Sequence, residues 1–228
     1  MLERSKEAIK KYYKMEYTLP LVSLLSGKAW GSFLAAILED TQIEDLWLNY
    51  FCCASNLTDT RLKTFEQGPL WKAVRASSSI PGLVPPVFED GSILVDGAVL
   101  NNMPVDIMRA RNNGGPVFAI DVSGAINVAD QPAFDPVQSG WHLLLNRKKN
   151  SDIPKMISIL MRSATMGSQM TQQSTRKMAD RHIQPDVNKY SILDFNAIES
   201  IVEDGYQSAK QQIEQWDTTE SEQRNLNE

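Results

Sequence analysis

A layered α/β domain, with a mainly parallel sheet flanked by helices, is the fold this sequence predicts. Three observations carry the prediction. Leu46–Ala54 (LWLNYFCCA) and Pro116–Val122 (PVFAIDV) are short, almost unbroken apolar runs, the pattern of strands buried on both faces. Segments with apolar residues at helical spacing fall between and after them, so strands and helices alternate, which implies βαβ units with right-handed crossovers. The 228 residues suffice for one such domain, and 42% apolar with 22% charged residues excludes wholesale disorder.

The elements follow in order. Residues 1–16 are polar and charged with a weak helical pattern and read as an N-terminal helical extension. Gly31-Ser32 opens a short helix carrying Phe33, Leu34, Ile37 and Leu38 on one face. The strand Leu46–Ala54 is followed by a turn at Asn56, Thr58 and Asp59 and by a short strand, Arg61–Phe65. Pro69 starts the next helix, Leu70, Ala73 and Val74 form its apolar face, and Pro81-Gly82 with Pro85-Pro86 stop it.

Ile93-Leu94-Val95 is a short strand that runs straight into Asp96-Gly97-Ala98. Asn101-Asn102-Met103-Pro104 introduces a helix through Arg111, with Asp106 in the first turn, where the helix dipole favours an acid. Asn113-Gly114-Gly115 ends it, and the strand Pro116–Val122 follows. Residues 123–152, with the basic Arg147-Lys148-Lys149, lack a period and read as a long surface connection. Ile153, Met156, Ile157, Leu160 and Ala164 mark a helix to about Arg176. Asp180–Asp186 reads as a strand and Phe195–Trp216 as a helix with Ile198, Ile201, Val202, Tyr206 and Ile213 inward; 217–228 is a polar tail. With no repeat and no linker, residues 17–216 read as one domain.

Composition narrows the function. The net charge of −5 and the lack of a basic patch argue against nucleic acid as a partner. Cys52 and Cys53 are adjacent, and neighbours on a strand face opposite ways, so no disulfide is expected between them. Without a cysteine framework or CxxC, a reducing compartment and no structural zinc are the expectation. The N-terminal residues have no apolar run of signal-peptide type, so a cytoplasmic location is expected. Leu19–Leu38 is largely apolar and about as long as a bilayer span, but Pro20, Gly27, Lys28 and Gly31 interrupt it. It leaves three readings open: a loop and helix packed on the core, an interfacial or lid-like element, and a true span.

Chemistry belongs outside the carboxyl ends of the strands, where open α/β sheets bind ligands. Asp96 and Asp121 both fall there. Gly97 and Ala98 are small enough to let backbone approach the Asp96 carboxylate, although Asp-Gly is also an ordinary turn. Asp121 reads more simply as an acid ending a strand. A metal held by the two lacks further ligands at helical spacing, so no metal and no cofactor is expected. Ser77-Ser78-Ser79 reads as a small-residue helix face, His142 lies in the long connection, and His182 reads as a structural histidine within a strand. Met156, Met161, Met166, Met170 and Met178 are either core or an adaptable acyl-chain surface.

The stretch from Leu70 to Pro86 (LWKAVRASSSIPGLVPP), joined to Leu94–Asp106 (LVDGAVLNNMPVD), resembles patatin-like phospholipases. Gln42–Leu48 (QIEDLWL) resembles the neuropathy-target-esterase-like lysophospholipase subgroup. Asp180–Asp186, Leu193-Asp194-Phe195 and Asp204-Gly205-Tyr206 suit the family's last strand and helix. The resemblance covers most of residues 17–213.

It implies a serine lipid acyl hydrolase acting on phospholipid or lysophospholipid esters through a Ser–Asp dyad. Asp96 is the implied general base, with Gly97 and Ala98 completing its motif. The nucleophile would sit in G-x-S-x-G and an upstream glycine-rich loop would bind the oxyanion. Neither pattern occurs in this sequence: Gly31-Ser32, Gly91-Ser92 and Gly167-Ser168 all have the wrong spacing. The expectation is a chain that corresponds to the C-terminal part of the domain, lacks the nucleophile and is inactive by itself. Its implied partners are a lipid or lysophospholipid substrate, a peripheral membrane contact, and the nucleophile-bearing half or a homologous chain. The alternative is a non-catalytic protein that binds lipid or a homologous subunit. Loss of a sheet neighbour would leave Leu46–Ala54 or Ile93–Val95 as an exposed edge.

Overall fold

The computed structural model describes residues 16–122, 156–190 and 197–225, with backbone alone for 156–158 and 217–225. Its helices are α1 (Lys28–Leu38), α2 (Leu70–Ser77), α3 (Val105–Arg111), α4 (Met156–Arg176) and α5 (Ile198–Asn225). Its strands are β1 (Cys52–Asn56), β2 (Arg61–Phe65), β3 (Val87–Glu89), β4 (Ser92–Asp96), β5 (Phe118–Ile120) and β6 (Arg181–Ile183). Short 3-10 turns occupy Ile43–Asp45 and Gly97–Val99. The chain divides into two units, residues 1–119 with 157–181, and residues 120–156 with 182–228.

The α/β class holds, but the direction of the main sheet corrects the expectation. Its order is β2-β1-β4-β3 and every pairing in it is antiparallel. Turn chemistry is the cause. Asp90 (φ 48°) and Gly91 (φ 74°) form a two-residue connection with both φ positive, the geometry that closes a tight hairpin between β3 and β4. Residues 57–60 close a second hairpin, with Asn56 Oδ1 accepting from the Thr58 N–H at 2.9 Å and Thr60 at φ 57°. Neither connection has room for a crossover helix, so neither pair can be parallel. The second sheet pairs β5 with β6.

The long strand expected over Leu46–Ala54 is only β1. Leu46 packs with Ile43, Leu70 and Ala73, while Trp47 and Leu48 are exposed. The expected exposed edges are also corrected: β1 lies between β2 and β4, and β4 lies between β1 and β3. On β5, Phe118 and Ile120 are exposed and Ala119 is buried.

In the first unit α2 lies on β1 and β4 and α1 lies on α2. Ala54, Ala76 and Leu94 fill the sheet-to-helix interface. Trp30 on α1 donates its indole N–H to Ser78 Oγ at 2.9 Å. Met103, Val105, Val117 and Ala119 form a separate cluster under α3. Of the face expected for α4, Leu160 is exposed and Ala164 half-buried, while Ile153 and the side chains of Met156 and Ile157 lie outside the described residues; among the described side chains of α4 the buried ones are Thr165 and Ser168. In the second unit Gln212 on α5 accepts from the Gln184 N–H at 3.1 Å and donates to its carbonyl at 2.9 Å. Asp204 pairs with Lys189 at 2.8 Å and accepts from the Tyr190 hydroxyl. The α5 backbone stays helical past Trp216 to Asn225. Among the described residues no helix is long and apolar enough to cross a membrane. His142 and the long connection at 123–152 lie outside the described residues, as do residues 1–15 of the N-terminal extension.

Candidate active site

Asp96 is the last residue of β4 and the cap of the 3-10 turn Gly97–Val99. Its N–H donates to the Ser79 carbonyl at 2.9 Å, and its Cα pairs with Ala54 across the sheet. The Ala98 N–H donates to Asp96 Oδ1 at 2.9 Å, the one donor to this carboxylate among the described residues. Burial holds the carboxyl above its ordinary range, and the Ala98 hydrogen bond pulls the other way.

Gly97 is buried because nothing larger fits. A Cβ there would lie 2.5 Å from the Cys53 carbonyl oxygen and 3.0 Å from its carbon, both backbone atoms. Close approach, not an unusual φ, is what requires glycine here. Two serines that sequence reasoning passed over hold the turn. Ser55, fully buried, donates to the Gly97 carbonyl at 3.3 Å and accepts from the Leu100 N–H at 3.2 Å. Ser168 on α4 donates to the Ala98 carbonyl at 2.6 Å. The signal for Ser55 was a polar residue directly after an apolar run; that for Ser168 was a small Gly-Ser pair inside a helix. Asn101 orders the following turn by accepting from the Met103 N–H at 3.2 Å and donating to Asp106 at 3.0 Å.

A concavity of about 440 Å³ opens at Asp96, lined by Tyr50, Phe51, Cys52, Ser77, Asn101, Pro104 and Met108 among others. A second, more polar cavity of about 510 Å³ shares Asn49, Tyr50, Phe51 and Met108 with it and continues to Ile43, Glu44, Leu46, Glu66 and Arg111. The walls of the concavity at Asp96 are largely apolar and aromatic, so a carboxylate at one end faces a surface that suits an apolar chain. Burial pushes the Cys52 thiol up to about 11, which keeps it protonated at neutral pH and removes it as a ready nucleophile. Burial and the neighbouring Cys52 also push the Tyr50 hydroxyl up.

The serine run divides. Ser77 lines the concavity, Ser78 donates to the Val74 carbonyl at 2.7 Å, and Ser79 is fully buried between the Arg75 guanidinium and carbonyl. Asp121 belongs to the second unit, where its N–H donates to the Ile183 carbonyl at 2.9 Å and its carboxylate lies 4.0 Å from His182 Nε2. Among the described residues no group of three or more His, Cys, Asp or Glu could hold a metal ion.

Residues 3–109 match the sequence model of the Patatin family, described as patatin-like phospholipase. A Mycosarcoma maydis protein named lysophospholipase NTE1 is 31% identical over 210 residues, 90% of this chain and 11% of its own length. Patatin-like phospholipase domain-containing protein 7 of Mus musculus is 34% identical over 210 residues, 89% of this chain and 15% of its own. Patatin-like phospholipase domain-containing protein 6 of Homo sapiens is 32% identical over the same length, again 89% and 15%. The chain thus spans at most 15% of these curated relatives. The chain belongs to the patatin-like phospholipase family.

Proposed function

We propose that this chain supplies the general base of a lipid acyl hydrolase, and that Asp96 is that base. The observation that carries the reading is a half-buried carboxylate, oriented by the Ala98 N–H, at the end of an apolar concavity. A carboxyl held above its ordinary range by burial has a pKa nearer that of a useful base. In the reaction a serine Oγ attacks the ester carbonyl while its proton passes to the Asp96 carboxylate. The protonated Asp96 then gives that proton to the leaving alcohol, and an acyl-enzyme remains. Water repeats the sequence on the acyl-enzyme and returns the serine. The substrate class is a phospholipid or lysophospholipid ester, with the acyl chain along the Tyr50–Phe51–Met108 wall. The sequence contains no G-x-S-x-G, so the serine and its oxyanion loop come from elsewhere, on a longer chain or on a partner.

The test uses both forms. The 228-residue chain by itself should stay unlabelled by a fluorophosphonate probe and show only background ester hydrolysis. Joined to the nucleophile-bearing segment of one of the relatives, it should become active. Asp96→Asn in that form should then lower kcat by about 10²–10⁴-fold or more, and Asp121→Asn by less than about threefold. Wild-type turnover in the Asp96→Asn enzyme would refute the assignment. Labelling of a serine in the chain alone, with Asp96-dependent hydrolysis, would show that a nucleophile lies within it.

A further inference from the structure

Residues 17–25 form a finger closed at its base by an antiparallel bridge between Tyr17 and Leu25. The Leu24 and Leu25 N–H groups tether it by donating to the Gly82 and Leu83 carbonyls, each at 2.9 Å. Ser23 is buried at this base, whereas the tip stands out: Leu19 is 72%, Leu21 83% and Val22 63% exposed. No charged residue occurs from Tyr17 to Gly27. Part of the backbone polarity is managed internally. The Thr18 N–H donates to the Leu24 carbonyl at 3.0 Å and the Leu21 N–H to the Leu19 carbonyl at 2.7 Å. Pro20 has no N–H at all.

We propose that this finger is a lipid-surface anchor, with Leu19, Leu21 and Val22 seated among the acyl chains of a membrane interface. With no charge, two N–H groups bonded within the finger and none on Pro20, the tip carries few polar groups into a low-dielectric layer. A second copy of the chain is a poorer occupant, because three side chains fall far short of the roughly 800 Å² per partner that a stable protein interface buries. A lipid surface sets no such minimum, since affinity grows with each inserted apolar group. An uncharged tip selects a zwitterionic or neutral interface rather than an anionic one. Nothing here depends on Asp96 being a base, and the finger can be tested without turnover.

The experiment is co-flotation of the 228-residue chain with phosphatidylcholine vesicles. Partition is expected in low and high salt alike. Leu21→Asp should lower it about tenfold or more, and Phe88→Asp, at an exposed apolar residue outside the finger, should leave it unchanged. Leu21→Trp should give emission that shifts to the blue with vesicles and is quenched by brominated acyl chains. Val22→Ser gives a milder reading should the aspartate variant fail to unfold cooperatively, and it should lower partition severalfold. Lack of partition, partition indifferent to these variants, or an unquenched Leu21→Trp overturns the proposal. So does a finger whose variants abolish self-association in sedimentation without affecting vesicles.

Discussion

Asp96 and Asp121 each lie at the end of a short apolar strand, and the company they keep differs. After Asp96 comes a glycine pressed against the Cys53 carbonyl, then an alanine whose N–H holds the carboxylate. After Asp121 comes Val122, which is exposed. Asp96 opens onto a concavity; Asp121 is buried and faces His182. A carboxylate at a strand end is therefore not a site in itself. What distinguishes the candidate base is a backbone built around one of its oxygens and space beside it.

The sharpest way to break this comparison is at the residue that follows each acid. Gly97→Ala puts a Cβ into the Cys53 backbone, which cannot yield as a flexible side chain would. The expected loss is at least about 3 kcal/mol, seen as a thermal midpoint lower by roughly 6–12 °C. Val122→Ala, at the equivalent place after Asp121, should stay within about 0.5 kcal/mol. Equal effects would mean that the tight approach at Gly97 is not what builds the turn.

Next in size is Asp121→Ala, which removes a buried acid beside His182 and should cost about 2 kcal/mol in chemical denaturation. Ser168→Ala removes the hydroxyl that grips the Ala98 carbonyl and should cost about 1 kcal/mol. In the active form it should also lower kcat without raising KM, because Ala98 orients Asp96.

The smallest effect has the opposite sign. Burial holds the Asp96 carboxyl above the range of the unfolded chain, so the folded state keeps its proton to higher pH. The stability this contributes is full below the unfolded pKa and is lost as pH rises through the folded pKa. At neutral pH the buried carboxylate is a cost that Asp96→Asn removes. The variant should be more stable by about 1 kcal/mol there, and the gap should close as pH falls below the ordinary carboxylate range. Differential scanning calorimetry across that range checks it; a gap that widens in acid would reverse the reading.

The sequence makes the acids and the α2 face legible, but not the sheet or the inward faces of α4 and α5, where Leu160, Val202, Tyr206 and Ile213 are exposed. Asp96-Gly97-Ala98 could be singled out because small residues after an acid at a strand end have a local meaning. The α2 face of Leu70, Ala73 and Val74 was equally local, and it packs as expected. Strand direction is not encoded in uninterrupted apolar runs; the turns carry it. Asp90-Gly91 was the stronger signal, and it closes the β3–β4 hairpin. Ser55 and Ser168 could not be assigned, because their hydrogen bonds join residues 42–70 positions apart in sequence. The burial of Ser168 in place of Leu160 has the same reason: α4 turns Ser168 toward the Ala98 carbonyl, a demand that helical periodicity does not encode.

The two hairpins also set an order of events in folding. Each closes over a few residues, and hairpins of this kind form in about 1–10 μs. The register that joins them, Ala54 against Asp96, must close a loop that contains the whole of α2 and the β3 strand. Loop-closure entropy makes such a contact slower than either hairpin. The carboxylate therefore reaches its place only when two preformed ribbons dock, and a chain that has made both ribbons can still lack the site.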